Sequence, residues 1–359
     1  MPSISPDLVA RGAGRVQRVS ARLQSEARVA AAVALELKQL LRNPDVRPLP
    51  QATVATIRRY ARERFGSAGY APWLIFYATM RGRFVEGWVP SDFFMSVAIR
   101  RINGAYHMAD NARTLQYRLM GPGVLPDIAH FVSGEWRSVD GALLDRSRIA
   151  DLLFEQGEKI CIKAQESSKG LGVRFATRST FDLSAVEATG NFVVQPAIRQ
   201  AESYDRFFPD ALNTVRVSTA KLPGQRPRAL FGFLRTGLGN ARHIASDWFD
   251  ISVVDDDGTF DRRGWDPARR WSERHPDTGF VFAGERLSEY RRLVDYCIAL
   301  HDRIPQFGFV GWDVCVDREG EPRLLEINTG FPGIKFAEMT VGPCLRCFNV
   351  EQYARPGPA

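Results

Sequence analysis

The chain has 359 residues, of which 45% are hydrophobic, 25% charged and 11% aromatic; this balance excludes a disordered or fibrous protein and allows a large core in two or three domains. The formal net charge of +7 resides entirely in the first 70 residues, which hold 12 basic and 5 acidic side chains. The opening MPSISPDLVARGAGRVQR lacks the apolar core of a signal peptide, and the most apolar run, residues 72–78, is far too short for a membrane span, so no span is predicted and the expected location is cytoplasmic.

The basic excess includes Arg11, Arg15, Arg18, Arg22, Arg28, Arg58, Arg59, Arg62 and Arg64. It reads either as a footprint for an anionic partner or, as charge runs usually are, as a solvated helical face, and nucleic acid is not the expected partner. Leu23, Ala27, Ala30, Ala34, Leu37 and Leu41 recur at alternating spacings of four and three, the period of one helix face, until Asn43-Pro44 breaks it. This long helix is expected to pack on its own core, with a homodimer contact or a place on a membrane surface as the alternatives. Residues 51–120 continue as helical pieces punctuated by Gly66, Gly69, Gly87 and Pro90, and Gly121-Pro122-Gly123 marks a turn.

After about residue 155 the texture changes to strands with β-branched and aromatic alternation, expected at Lys159–Ala164, Phe192–Ile198, Thr214–Leu222, Arg228–Thr236, Trp248–Val254, Phe307–Asp317 and Pro322–Ile327. One helix is expected at Leu287–Ile304, stopped by Pro305. The reading is an α+β protein behind a mainly helical N-terminal region. Five scattered cysteines make no disulfide framework, and the single Cys344-x-x-Cys347 has no second pair to build a zinc site. The five histidines show no ligand spacing.

The strongest chemical signal is a predicted hairpin near the C-terminus, in which two apolar strands flank the turn Arg318-Glu319-Gly320-Glu321. Alternation puts Glu326 and Asn328 on one face, and Asp313 on the partner strand can face the same side. Two carboxylates and an amide suit Mg²⁺, a hard cation that completes its shell with phosphate oxygens and water; exposure to solvent is the alternative, opposed by the apolar residues around them. Upstream, a strand carrying Lys163 runs into the loop Gln165-Glu166-Ser167-Ser168-Lys169-Gly170-Leu171-Gly172, whose small residues let backbone N–H groups approach phosphate oxygens. Pro196 should end the next strand, freeing backbone groups beyond Gln195 for a flat base. Arg216, between Val215 and Val217, points away from their face, as a functional group or as a structural ion pair.

This succession resembles the ATP-grasp superfamily over about residues 110–345: a lysine strand, a Ser/Gly loop, an apolar strand to a hinge, then Asp313, Glu326-x-Asn328 and Pro332-Gly333. Leu212-Asn213-Thr214-Val215-Arg216-Val217, Leu234-Arg235-Thr236-Gly237 and Gly311-Trp312-Asp313 are similar to its sugar-transfer-associated branch. The resemblance implies an ATP-grasp fold, two α+β lobes clamping ATP, with residues 1–110 as the helical region, 111–190 and 191–350 as the lobes and 351–359 as a tail.

It implies further that Lys163 meets the α- and β-phosphates, that Ser167, Ser168, Lys169, Gly170 and Gly172 close over the β- and γ-phosphates, and that Gln195 with the backbone of Ala197 and Ile198 reads adenine. Glu202, with Asp205 as rival, would take the ribose hydroxyls. Asp313, Glu326 and Asn328 would hold one or two Mg²⁺ ions, with Mn²⁺ a substitute, while Arg216 and Arg235 would act on the transferring phosphoryl group. Lys335 and Asp247 fall at substrate positions. Asn111 stands where the superfamily usually has a second phosphate-binding lysine; Arg113 or Arg118 would supply that charge, a degenerate site being the alternative. The implied activity is ligation of a small-molecule carboxylate to an amine or thiol through an acyl phosphate, releasing ADP and phosphate; a small-molecule kinase and an ATP-binding scaffold are the alternatives.

Overall fold

The computed structural model describes residues 24, 26–165, 172–241, 243 and 247–354. Arg11, Arg15, Arg18 and Arg22, and most of the phosphate-loop residues, Ser167, Ser168, Lys169 and Gly170, lie outside the described residues. Two units form, one of residues 1–97 with 338–359 and one of residues 98–337.

The first unit is helical. Residues 26–40 form the expected long helix, but it buries Val33 and Leu40, and Ala27, Ala34 and Leu41 of the expected face are exposed, because small side chains at helical spacing do not by themselves choose the packed side; Gln51–Phe65 and Ala71–Arg81 follow. In Gln51–Phe65 the four-residue rhythm of Ile57, Ala61 and Phe65 is buried, and Arg58, Arg59 and Arg62 are exposed on the other side. Trp73, Phe76, Tyr77, Trp88 and Phe93 build an aromatic core that also encloses a carboxylate, Glu338, which is 0% exposed. Val89 N–H donates to its Oε2 at 3.0 Å, and the Cys344 N–H and thiol donate to its Oε1, each at 3.0 Å. Burial pushes the Glu338 carboxyl up to about 7. Cys344 is therefore a hydrogen-bond donor in a buried cluster, and both it and Cys347 are free thiols.

The second unit holds two antiparallel sheets. Five strands, β1 (Ala129–Val132), β2 (Glu135–Ser138), β3 (Lys159–Ala164), β4 (Val173–Thr177) and β5 (Phe192–Pro196), line up as β2-β1-β5-β3-β4. Seven more follow: β6 (Thr214–Ala220), β7 (Arg228–Gly237), β8 (Trp248–Val253), β9 (Phe260–Trp265), β10 (Trp271–Ser272), β11 (Phe309–Val316) and β12 (Pro322–Asn328). Their order is β10-β9-β8-β7-β6-β11-β12. All seven expected strands are present, with ends shifted by up to two residues. The strands β1, β2, β4, β9 and β10 were not anticipated, because they are short or interrupted by charges such as Asp261, Arg262 and Arg263 and show little alternation.

One face of the seven-stranded sheet packs on the helix Tyr290–Arg303, which starts three residues after the expected position. Val215, Val217, Leu234, Trp312, Val314 and Ile327 share this core with Leu293, Cys297 and Leu300. A polar chain runs through it: Trp312 Nε1 donates to Thr219 Oγ1 at 2.7 Å, Thr219 meets His301 Nδ1 at 2.7 Å, and His301 Nε2 lies 2.8 Å from the Phe307 carbonyl. The Phe307 carbonyl is thus bonded outside the sheet, and β11 begins at Phe309. The β11–β12 hairpin is confirmed, and Gly320, at φ 82, takes the left-handed turn position that costs other residues strain.

A helical segment before the sheets clamps both ends of that hairpin. The buried Asn103 amide donates to the carbonyls of Phe309 and Thr329, both at 2.8 Å, and accepts from Gly308 and Phe309 N–H, both at 2.9 Å. Asp110 Oδ2 accepts from Thr329 N–H at 3.1 Å and Gly330 N–H at 3.0 Å. A Cβ on Gly330 would lie 2.5 Å from the His107 carbonyl oxygen, so this close approach requires glycine. Among the described residues no helix is long and apolar enough to cross a membrane.

Candidate functional site

The face of the seven-stranded sheet turned away from the core carries a charged row. Register places Arg216 opposite Asp313 and Asp313 opposite Glu326, across β6, β11 and β12. Asn328 lies opposite Gly311 on the same face. Arg216 grips Asp313 with two bonds, Nε to Oδ1 at 2.6 Å and Nη2 to Oδ2 at 2.9 Å, and its Nη1 donates to the Pro332 carbonyl at 2.6 Å. One strand further, Arg235 binds Asp250 in the same two-pronged manner, at 2.7 and 2.8 Å. Its guanidinium lies 4.9 Å from the Trp248 ring and 5.5 Å from the Phe233 ring.

A further charge comes from a helix. Arg113, first residue of the helix Arg113–Met120, pairs with Glu326 at 3.0 Å and is itself buried. Lys163, on β3 of the five-stranded sheet, donates to the Leu325 carbonyl on β12 at 3.1 Å, so the two sheets meet at this cleft. Burial and the facing Asp313 raise the Glu326 carboxyl above its ordinary value, against Arg113. Burial also acts upward on Asp313, but the Arg216 guanidinium overrides it and holds that carboxyl below its ordinary value.

The chemistry of the donor set suits a cation. Two carboxylates face each other on paired strands, an arrangement that is destabilising without positive charge between them. Asn328 Nδ2 donates to Asp313 Oδ2 at 3.2 Å, so its oxygen is turned away from that carboxylate and remains an acceptor. An ionised carboxylate has about four lone-pair positions, so Asp313 retains acceptor capacity beyond Arg216. This all-oxygen set fits Mg²⁺ or Mn²⁺.

The remaining expected residues are placed as follows. Gln195 is buried on β5 and donates to Asp127 Oδ1 at 2.6 Å, and Asp127 Oδ2 meets His130 Nε2 at 2.8 Å. Backbone groups beyond Gln195 are not all free: Ala197 N–H donates to the Lys159 carbonyl at 3.0 Å, because pairing with β3 outlasts Pro196, which opposes Ile160. Glu202 pairs with Arg318. Asp205 accepts from Gln200 at 2.7 Å, inside a knot in which Asn213 bonds Gln200 and the carbonyls of Tyr204 and Phe208, so Asn213 of the branch motif is structural.

Asp247 is exposed just ahead of β8, and the acid that meets Arg235 is Asp250, three residues on. Lys335 is half-buried at the end of the loop after β12, Gly172 lies beside β4, and Ile198 follows the end of β5. Asn111 is exposed; its carbonyl accepts from Gln165 Nε2 at 2.9 Å, and Gln165 Oε1 accepts from Thr114 N–H at 3.2 Å. Sequence reasoning missed Asp250, Asp127 and Gln165. Only Asp250 had a signal, an acid embedded in the apolar run Trp248–Val253.

Two antiparallel sheets that present a lysine-bearing strand and an acid- and arginine-bearing face to one cleft define a class of nucleotide-gripping proteins. The chain belongs to the sugar-transfer associated ATP-grasp family, which matches residues 126–352, and its fold is the ATP-grasp fold. No curated protein matches it. Among solved structures it is similar to the ATP-grasp ligase PsnB complexed with a phosphomimetic variant of its minimal precursor, Mg and ADP, at 13% identity over 71% of this chain and 62% of that one, TM-score 0.40. It is also similar to biotin carboxylase from Campylobacter jejuni, at 13% identity over 76% and 49%, TM-score 0.41. D-alanyl-alanine synthetase A from Vibrio cholerae shows 14% identity over 78% and 71%, TM-score 0.40. The chain thus spans less than two-thirds of the first two.

Proposed function

We propose that this protein is an ATP-dependent ligase that joins a small-molecule carboxylate to an amine or thiol. The observation that carries the reading is the row Arg235, Arg216, Asp313 and Glu326 with Asn328, facing Lys163 and Arg113 across one cleft. Asp313, Glu326 and Asn328 would hold one or two Mg²⁺ ions. A bound Mg²⁺ supplies charge neutralisation to the phosphates.

In this reading Lys163 binds the α- and β-phosphates, and Arg113 takes the place of the lysine that Asn111 lacks, its planar fork suiting phosphate oxygens. Residues Ser167, Ser168, Lys169, Gly170 and Gly172 cover the β- and γ-phosphates, Gln195 with Ala197 and Ile198 reads the base, and Glu202 takes the ribose. A substrate carboxylate oxygen attacks the γ-phosphorus and ADP leaves; the amine nitrogen then attacks the acyl carbon, phosphate leaves and the nitrogen gives up a proton. Arg216 and Arg235 stabilise charge on the phosphoryl oxygens and on the tetrahedral oxyanion. Lys335 and Asp247 contact substrate. Residues 111–190 and 191–350 act as the two lobes.

The test is mass spectrometry of reactions with protein, Mg-ATP and pooled amino acids, amines and organic or uronic acids, with Glu326→Gln as control. Condensed product with ADP, absent from the variant, is expected. A phosphorylated product in its place would make the protein a kinase, and ATP binding without acceptor-dependent turnover would make it a scaffold.

A further inference from the structure

The cleft contains an amide whose orientation is fixed by its neighbour. Gln195, Asp127, Lys163, Val193, Leu325 and Arg113 line it. Gln195 is 3% exposed, and its contact with Asp127, at 2.6 Å, is to a side chain that is 1% exposed and bound on its other oxygen by His130. An ionised carboxylate can only accept hydrogen bonds. The nitrogen of Gln195 must therefore point at Asp127, and Oε1 must point elsewhere; among the described residues Oε1 makes no hydrogen bond. His130 lies in register with Val193, and so does Lys163. The Asp127–His130 pair thus adjoins the strand row that carries the proposed phosphate lysine.

We propose that Asp127, held by His130, is a positioning residue that locks the Gln195 amide with its oxygen toward the base, so that the cleft selects a purine bearing an exocyclic amino donor, adenine, and rejects one bearing a carbonyl there, guanine. This rests on the cleft being the nucleotide site. A base that turns a carbonyl toward Oε1 would leave two acceptors facing each other in a desolvated place, which costs far more than one lost hydrogen bond. Asp127 acts only through Gln195 and need not touch the nucleotide.

The experiment is calorimetric titration of the full chain with Mg-ATP and with Mg-GTP. The wild type should bind ATP more tightly than GTP by about a hundredfold or more. Asp127→Asn is isosteric; it retains an oxygen for His130 and directs an N–H at Gln195, which turns the Gln195 nitrogen into the cleft. The ATP-over-GTP ratio should then collapse to near unity or invert, with GTP binding gained. A merely structural role would weaken both nucleotides alike and leave the ratio unchanged, and that result overturns the proposal. Gln195→Met, which leaves the Asp127–His130 pair intact, should also bring the ratio near unity; an unchanged ratio there would equally overturn it. A wild type that binds neither nucleotide would sink the nucleotide reading of the cleft and this inference with it, whereas tight ATP binding with an unaltered variant ratio would sink the inference alone.

Discussion

The two faces of the seven-stranded sheet are built from the same strands by different physics. On one face Val215, Val217, Leu234, Trp312, Val314 and Ile327 are buried with the helix Tyr290–Arg303. On the other, Arg216, Arg235, Asp313, Glu326 and Asn328 form pairs that are specific in geometry and half-open to the cleft. Apolar burial is strong and non-directional, roughly 25 cal/mol per Å², and it sets the register. Register then decides which charges meet, since a slip of one residue would turn every charge into the core. The stability of the sheet therefore comes mainly from one face and its chemistry from the other.

That division can be broken from either side. The largest effect is expected on the core face: Trp312→Ala removes a fully buried indole and its bond to Thr219, and urea unfolding should show a loss of about 3–5 kcal/mol. On the charged face, Glu326→Gln should lower kcat for ADP release by about 10²–10³-fold while circular dichroism stays native, because the substitution loses the Arg113 pair but also relieves the facing Asp313. If that variant unfolds instead, the charged face contributes substantially to stability as well as to chemistry.

The first unit provides a titrating contrast, since among the described residues no guanidinium is bonded to its buried Glu338 carboxylate. The Glu338 carboxyl moves from an ordinary 4.5 to about 7 on folding, so between those values the unfolded chain has lost a proton that the folded chain keeps. Stability should therefore fall as pH rises from about 4.5 to about 7 and level off above, by about 3 kcal/mol from this group. Asp92, also raised to about 7 by burial, adds to the same window. Glu338→Gln should flatten much of the slope in thermal melts taken across that range, and an unchanged slope would refute the assignment. The smallest effect is expected at Asp250→Asn, which loosens the two-pronged hold on Arg235; turnover should fall roughly tenfold to a hundredfold with an unaltered unfolding midpoint.

The β11–β12 hairpin was legible because its signals are local. Period-two alternation around Asp313 and Glu326-x-Asn328, with a tight Gly320 turn between, dictates both the hairpin and the shared face. Lys163 was legible for the same reason, as the one charge after Ile160 in the strand Lys159–Ala164. The partners of these residues were not legible. Arg113 reaches Glu326 across 213 positions and Asp127 reaches Gln195 across 68, and no spacing rule links residues so far apart. The short strands β2 and β10 were missed because edge pieces of four and two residues carry no pattern of their own and form only by pairing with a neighbour.

The amino-acid sequence by itself determined the seven strongly alternating strands, which of their faces is apolar and which polar residues share a face, because alternation and turn chemistry act within a few residues. Only the tertiary structure decided that Arg216 and Arg235 are held by Asp313 and Asp250, that Arg113 faces Glu326, and that the Gln195 amide donates to Asp127. Those pairings depend on which strands become neighbours and which helix lies over them, and that is settled by burying the whole apolar core at once.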